Sequence, residues 1–338
     1  MSARESIIPV FVPHLGCPND CVFCNQRRIS GQQLPAGPET VKNAIESAAA
    51  FLPKGEKRQL AFYGGSFTAI PAAQQRALLD MARHYMQRGE IQSIRLSTRP
   101  DAIDDEILDR LESYGVETVE LGAQSLDEGV LLLSGRGHTA EDVIKASRLI
   151  RARGFKLILQ MMTGLPGDTK EKDLDTAKKI IAHRPDGVRI YPTVIVRDTA
   201  LFDMWQAESY SEHSVEEAVQ VCAELLPLFE AAGIPVIRLG LNPSDDLSGG
   251  DAAGGAYHPA LGEMVKSRIL RHRAEELLSG IEPGSCVIIE VGRGKISQMT
   301  GQKRCNREYL KEKFALKDIK IRENPALSGD IRVFCLDK

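Results

Sequence analysis

Six times between Ile7 and Gly233, a short β-branched or apolar run gives way to a segment of helical period. The strand-like runs are Ile7–Val12, Gln59–Tyr63, Ser93–Ser97, Thr118–Leu121, Phe155–Met162 and Gly187–Tyr191. Helical patterns cover Thr40–Phe51, Ala72–Gln87, Asp104–Tyr114, Thr139 to near Gly154, Glu171–Ala182 and a stretch opened by Ser214 and Glu217 that stops at Gly233. Strands alternating with helices imply a parallel sheet with right-handed crossovers. Several of the strands are nearly all apolar, as strands covered by helices are. An open doubly wound sheet concentrates its special residues at one switch point. Here they follow strand after strand, as they do around the C-terminal mouth of a barrel.

The expected fold is α/β, a partial (β/α)6 TIM-like barrel with a small C-terminal α+β subdomain. Residues 1–240 form the barrel in this reading, 241–282 a Gly-rich loop and helix, and 283–338 a small β-rich subdomain. Ser244–Gly255 is rich in Ser, Asp and Gly and reads as a lid or a linker. A helix is expected from Ala260 to Leu278, and strands over Ser285–Val291 and Ile331–Leu336.

The first strand-like run leads into Cys17, Cys21 and Cys24, spaced C-x3-C-x2-C with no fourth cysteine nearby. Thiolates hold iron–sulfur clusters, usually four to a cubane. Structural metal sites are normally closed, and catalytic ones keep a position open. The residues alone leave two metal readings. One is a [4Fe–4S] cluster on three thiolates with a small molecule at the remaining iron. The other is a zinc site completed by His14 in a non-catalytic scaffold. The remaining cysteines, Cys222, Cys286, Cys305 and Cys335, are solitary, and the total of seven is odd, so no disulfide framework is indicated. A reducing cytoplasm suits such a chain. The net charge of −3 gives no global pull toward nucleic acid or anionic membrane. The N-terminus has no signal-peptide pattern, and no apolar stretch approaches the ~20 residues of a spanning helix.

Other strand ends carry motifs of their own. Tyr63-Gly64-Gly65-Ser66-Phe67 closes the second run, and paired glycines let a ligand approach the backbone or simply make a turn. Ser97-Thr98-Arg99-Pro100-Asp101 closes the third. Gln124-Ser125 follows the fourth, with Arg136-Gly137-His138 after it. Gln160 sits within the apolar fifth run, before Gly164-Leu165-Pro166-Gly167, and needs a partner if it points inward.

With these motifs in order, the chain resembles the radical S-adenosylmethionine (radical SAM) superfamily. Within it, the set looks most like the radical domain of the Elongator catalytic subunit and its bacterial relatives; oxygen-independent coproporphyrinogen oxidases share part of it. The resemblance rests on the cysteine triplet with Phe23 before its last member, the Gly64-Gly65 pair, and the segments 97–101, Glu120–Ser125, Arg136–Thr139, 164–167 and Arg189–Thr193. It covers residues 7 to 240. It implies a [4Fe–4S] cluster on Cys17, Cys21 and Cys24 and SAM as cofactor. It further implies reductive cleavage of SAM to a 5′-deoxyadenosyl radical, hydrogen abstraction from a substrate, and an electron donor of flavodoxin or ferredoxin type. By the same resemblance Phe23 and Leu165 pack near the adenine, and Gly64 and Gly65 meet the methionine end. Arg136 pairs with the SAM carboxylate, and Ser97, Gln124 and Gln160 line the ribose and substrate side.

Three departures limit what carries over. Elongator spaces its first two cysteines much farther apart. Relatives often have a glutamate where this chain has Ser97. The residues after the barrel are too few for an acetyltransferase domain of ordinary size. RNA and a small metabolite both remain candidate substrates. A basic tail of Lys295, Lys303, Arg304, Arg307, Lys311 and Lys313 is either an RNA-facing patch or, with Glu308, Glu312, Asp318 and Glu323 interspersed, ordinary solvated surface. His258 is a candidate substrate contact.

Overall fold

A computed structural model describes residues 5–12, 17, 21–25, 36–51, 57–241, 247–327 and 329–336. His14 and Ser244–Asp246 lie outside them. The chain divides into two units, one of residues 1–214 and 228–257, the other of residues 215–227 and 258–338.

The first unit follows the expected alternation. Its elements are β1 (Glu5–Phe11), α1 (Pro38–Phe51), β2 (Lys57–Tyr63), α2 (Ala72–Gln87), β3 (Ser93–Thr98), α3 (Asp105–Ser113) and β4 (Val116–Gln124). Then come α4 (Glu128–Leu133), α5 (Ala140–Ala152), β5 (Lys156–Thr163), α6 (Lys170–Ala182) and β6 (Gly187–Pro192). Local capping fixes several helix starts. Asp104 accepts from the Ile107 N–H, Thr139 and Asp142 form a reciprocal capping box, and Thr169 accepts from the Lys172 N–H.

After β6 the chain departs from the simple repeat. A short strand β7 (Val194–Val196) and a helix α7 (Ala200–Gln206) precede α8 (Val215–Ala231). A further strand, β8 (Val236–Leu239), then extends the main sheet to seven parallel strands in the order β1-β2-β3-β4-β5-β6-β8. Part of the Gly-rich stretch expected to be a lid or linker is instead β9 (Ala252–Gly255), antiparallel to β7. Its small residues admit this pairing, since a side chain at Gly255 would strike the Thr193 carbonyl.

Alternate residues of the strands face the helices and form the core. Leu60 and Phe62, Ile94 and Leu96, Val119 and Leu121, Leu157 and Leu159, and Val188 and Ile190 are all buried there. Their neighbours in sequence face the other side, where the special residues collect.

The second unit holds α9 (Leu261–Leu278), β10 (Cys286–Val291), α10 (Ile296–Thr300), α11 (Cys305–Lys313), β11 (Asp318–Glu323) and β12 (Ile331–Cys335). Its sheet runs β11-β10-β12, with β10 parallel to β11 and antiparallel to β12. Leu270, Ala274, Leu278, Val287, Ile289, Met299 and Leu310 are among its core residues. The buried Asn306 side chain donates to Ser267 and to the Gln298 carbonyl, tying α11 to α9 and α10. Strand β11 went unread in the sequence because Ile319 and Ile321 are its only apolar members.

Leu159→Ala, at a position with 0 % exposure in β5, should cost about 2–5 kcal/mol, measured by urea unfolding.

Candidate active site

The main sheet cannot be flat. Neighbouring strands lie about 4.8 Å apart, so β2 and β6, four places apart in the sheet, would be about 19 Å apart if it were flat. Yet the Arg189 Nη2 donates to the Tyr63 hydroxyl at 3.0 Å. The sheet therefore curls into a half-barrel, and its concave side is a lumen.

Glu120 stands at the middle of that lumen with its side chain fully buried. The Arg95 Nη1 donates to its Oε1 at 2.8 Å, and the Arg189 Nε to its Oε2 at 2.8 Å. Gln160 donates to Oε2 at 2.9 Å and Tyr63 to Oε1 at 3.3 Å. Burial works to raise the Glu120 pKa, but the Arg189 and Arg95 charges outweigh it and hold the carboxyl below its ordinary value. Burial first, then the Glu120 charge, pushes Tyr63 up to about 12. The Gln160 side chain thus finds its partner in a carboxylate, with Ser97 Oγ at 3.5 Å beyond it.

At the mouth, residues 21–25 form a turn closed by the Cys24 N–H donating to the Cys21 carbonyl. Two elements grip it. The Val22 N–H donates to the Ser134 carbonyl at the end of α4, and the Val22 carbonyl accepts from the Leu201 N–H in α7 at 2.7 Å. Val22 and Phe23 pack among Ile195, Leu201, Tyr210 and Trp205.

The Arg136 guanidinium reaches this turn. Its Nη1 lies 3.2 Å from the Cys21 Sγ, and its Nη2 donates to the Gly122 carbonyl at 2.7 Å. Arg99 braces it, its Nη2 donating to the Arg136 carbonyl at 2.6 Å while Nε and the same Nη2 fork onto Asp101. Burial, followed by the Cys21 charge, raises the Cys17 thiol pKa. Burial and the two arginine charges push His138 down to about 4, so its ring is neutral at physiological pH. Among the described residues no three His, Cys, Asp or Glu side chains converge on one point, so the cysteine ligand set rests on spacing and family.

The radical SAM superfamily model matches residues 11–180, and the radical SAM C-terminal domain model matches residues 185–271. The chain belongs to the radical SAM superfamily. An uncharacterized protein of Methanocaldococcus jannaschii is 31% identical over 234 residues, covering 65% of this chain and 70% of that one. A tRNA uridine(34) acetyltransferase of Methanocaldococcus infernus is 36% identical over 129 residues, 37% of this chain and only 24% of that protein. The solved structure of an N-terminally truncated Elp3 from the same archaeon superimposes with a TM-score of 0.62 at 23% identity, over 82% of this chain and 63% of that one. At that identity the likeness is one of fold.

As a radical SAM enzyme, the protein uses a [4Fe–4S] cluster and SAM. The residues at the mouth fit such a pair. The donor set is three thiols, with a guanidinium nitrogen 3.2 Å from the sulfur of one of them. Gly64 and Gly65 both take positive φ, +74° and +57°, a backbone cradle that side chains rarely permit. Gln124 also has φ +66°, and its buried Oε1 has no hydrogen-bond partner among the described residues. Strained backbone and an open buried acceptor at this position are compatible with a ligand there.

The other expected contacts are dispersed around this mouth. Phe23, Gly64, Gly65 and Ser97 are half-buried, Leu165 is fully buried, and Gln160 is drawn into the lumen network. The 164–167 loop is held tightly. Tyr210 donates to the Gly164 carbonyl at 2.6 Å, and any side chain at Gly164 would overlap His213. His258 accepts from the Ala260 N–H at the start of α9, a local turn within the second unit. Of the basic tail, Arg307 pairs with Asp318 and Lys313 with Glu275, while Lys303 and Arg304 are exposed.

In the sequence Tyr63, Glu120 and Arg189 stand within the strand-end motifs, and Arg95 belongs to none of them. The signal was present. Charged residues at alternate positions of otherwise apolar strands must face one another, because unpaired they are not buried.

Below the 164–167 loop, Asp168 and the buried Asp173 share a site. Burial first, then the charge on Asp168, pushes the Asp173 carboxyl well above its ordinary range, against the Gly164 N–H that favours the anion. A raised folded-state pKa contributes stability at low pH that is lost as pH rises. Asp173→Asn should therefore be more stable than wild type, with the gap in urea midpoint widening between about pH 5 and about pH 8. Glu120→Gln removes the charge that compensates Arg95 and Arg189. It should cost about 3–5 kcal/mol in the same assay, and Arg189→Met in addition should recover part of the loss.

Proposed function

We propose that this radical SAM enzyme acts on a nucleotide of RNA, with residues 1–240 carrying the chemistry. What supports the RNA reading is the stretch shared with the archaeal relative named tRNA uridine(34) acetyltransferase, at 36% identity. Acetyl transfer stays with that relative, of which the match spans 24%.

In this reading Cys17, Cys21 and Cys24 hold the cluster. Gly64 and Gly65 offer backbone to the methionine end of SAM, and Arg136 meets its carboxylate. Phe23 and Leu165 flank the adenine, and Ser97, Gln124 and Gln160 line the ribose and substrate side. The cluster and SAM, when bound, supply a 5′-deoxyadenosyl radical for hydrogen abstraction. The protein's own part is placement and exclusion of water. The grip of Ser134 and Leu201 on residues 21–25 fixes where the thiols stand. The reducing electron comes from a flavodoxin- or ferredoxin-type donor, and the oxygen-sensitive cluster is kept in a reducing cytoplasm. Among the described residues no helix is long and apolar enough to cross a membrane.

Anaerobic purification tests the chemistry. Brown, iron-loaded protein that releases 5′-deoxyadenosine on reduction with SAM is expected, and a colourless zinc protein refutes it. Cys21→Ala should lose both iron and SAM cleavage, measured by metal analysis and chromatography. The RNA assignment predicts tRNA binding that weakens steeply with salt; tRNA that fails to bind at low salt removes it.

A further inference from the structure

Strand β8 is an edge of the half-barrel, and its register with β6 sets Arg238 directly beside Arg189. Like charges opposite one another on adjacent strands repel. One of the two is compensated. Arg189 donates twice to Glu120 and lies over the Tyr63 ring. Arg238 is not. It is half-buried, its Nε donates to the Gly240 carbonyl at 3.0 Å, and among the described residues it forms no ion pair. Residues paired across neighbouring strands point to the same face of a sheet, so the register puts Arg238 on the lumen side with Arg189.

The lumen therefore sets three guanidinium groups, those of Arg95, Arg189 and Arg238, against the single central carboxylate of Glu120. Low-dielectric walls strengthen the field of that excess. Most other arginines that leave solvent in this unit end on a carboxylate, as Arg95, Arg99 and Arg189 do. A half-buried arginine whose Nη groups donate to no described residue, next to a second cation, has donors left for an anion from outside. Its planar fork matches phosphate or carboxylate oxygens in pairs.

We propose that Arg238, seconded by Arg189, anchors an anionic group of the substrate, phosphate or carboxylate, in the lumen at the β8 edge. The proposal rests on the lumen being the substrate chamber of a radical SAM enzyme. Arg238 is a specificity-determining residue in this scheme and takes no part in bond breaking. For an RNA substrate the anion is the phosphate next to the target nucleotide, and for a metabolite it is a carboxylate.

Cluster-loaded protein with SAM is titrated anaerobically with uridine 5′-monophosphate, a short uridine-containing RNA hairpin, succinate, and uridine as the uncharged control. At least one anion should bind, and uridine should bind far more weakly. R238Q should weaken the bound anion about tenfold or more. R238K, which keeps the charge but not the fork, should fall between. Phosphate probes that bind while succinate does not assign a nucleotide; the reverse assigns a carboxylate metabolite. Wild-type protein that binds no anion, or variants that bind as tightly as wild type, overturn the proposal. Circular dichroism and cluster absorbance confirm that each variant is folded, and if R238Q is not, R238K decides. The radical SAM reading fails separately, through wild-type protein that carries no cluster, and the anion titration can be read on that protein all the same.

Discussion

Glu120 is a carboxylate with no exposed side-chain surface, held between guanidinium groups that arrive from opposite sides. Taking such ions out of water costs several kcal/mol each, and the attraction repays it only in good geometry with further hydrogen bonds. Those bonds come from Gln160 and Tyr63. The cluster of partners draws on β2, β3, β4, β5 and β6, so the curvature of the sheet is set by where five side chains meet. Flatten the sheet and the charges are stranded. A closed barrel fills its interior with layers of branched apolar side chains. Here a polar network, not an apolar one, holds the curl.

The mouth depends on that curl in turn. Because the strands converge, the segments after β1, β4, β5 and β6 reach one another. Arg136 comes to the Cys21 sulfur, Ser134 and Leu201 grip the cysteine turn, and Tyr210 closes on Gly164. The contacts to the cysteine turn join a loop after β1 to loops rooted three or more strands away in the sheet, and the Tyr210–Gly164 bond joins loops of neighbouring strands, so that rigid elements position the loops. The α7 insertion is the least anticipated member. It contributes the apolar floor under Phe23 and a backbone bond to Val22.

What the sequence makes legible follows from the range of its signals. Periodicity is local, so the alternating strands and helices of the barrel could be read directly, as could the start of the helix at Thr139. The cysteine triplet is local as well. The Glu120 network is not, since Tyr63 and Arg189 are 126 residues apart. Only the alternation of charges within apolar strands hints that they meet. Strand β11 and the β7–β9 ribbon escaped for a different reason. Charged or small residues can pair as strands when a neighbour supplies the other half of the ladder, and propensity does not report that.

Glu120, Tyr63 and Tyr191 in the lumen and His138 near the mouth each hold one charge state near neutral pH. Glu120 keeps its charge because its carboxyl is held low. Tyr63 keeps its proton because burial and Glu120 push it up to about 12, and Tyr191 is raised as well. His138, driven down to about 4, adds nothing to the charge beside Cys21. Positive charge at both places therefore comes from arginines, which do not titrate in this range. A site that sensed pH would place histidine where these arginines stand. The arginines of the lumen and of the mouth instead keep their positive charge fixed across the neutral range.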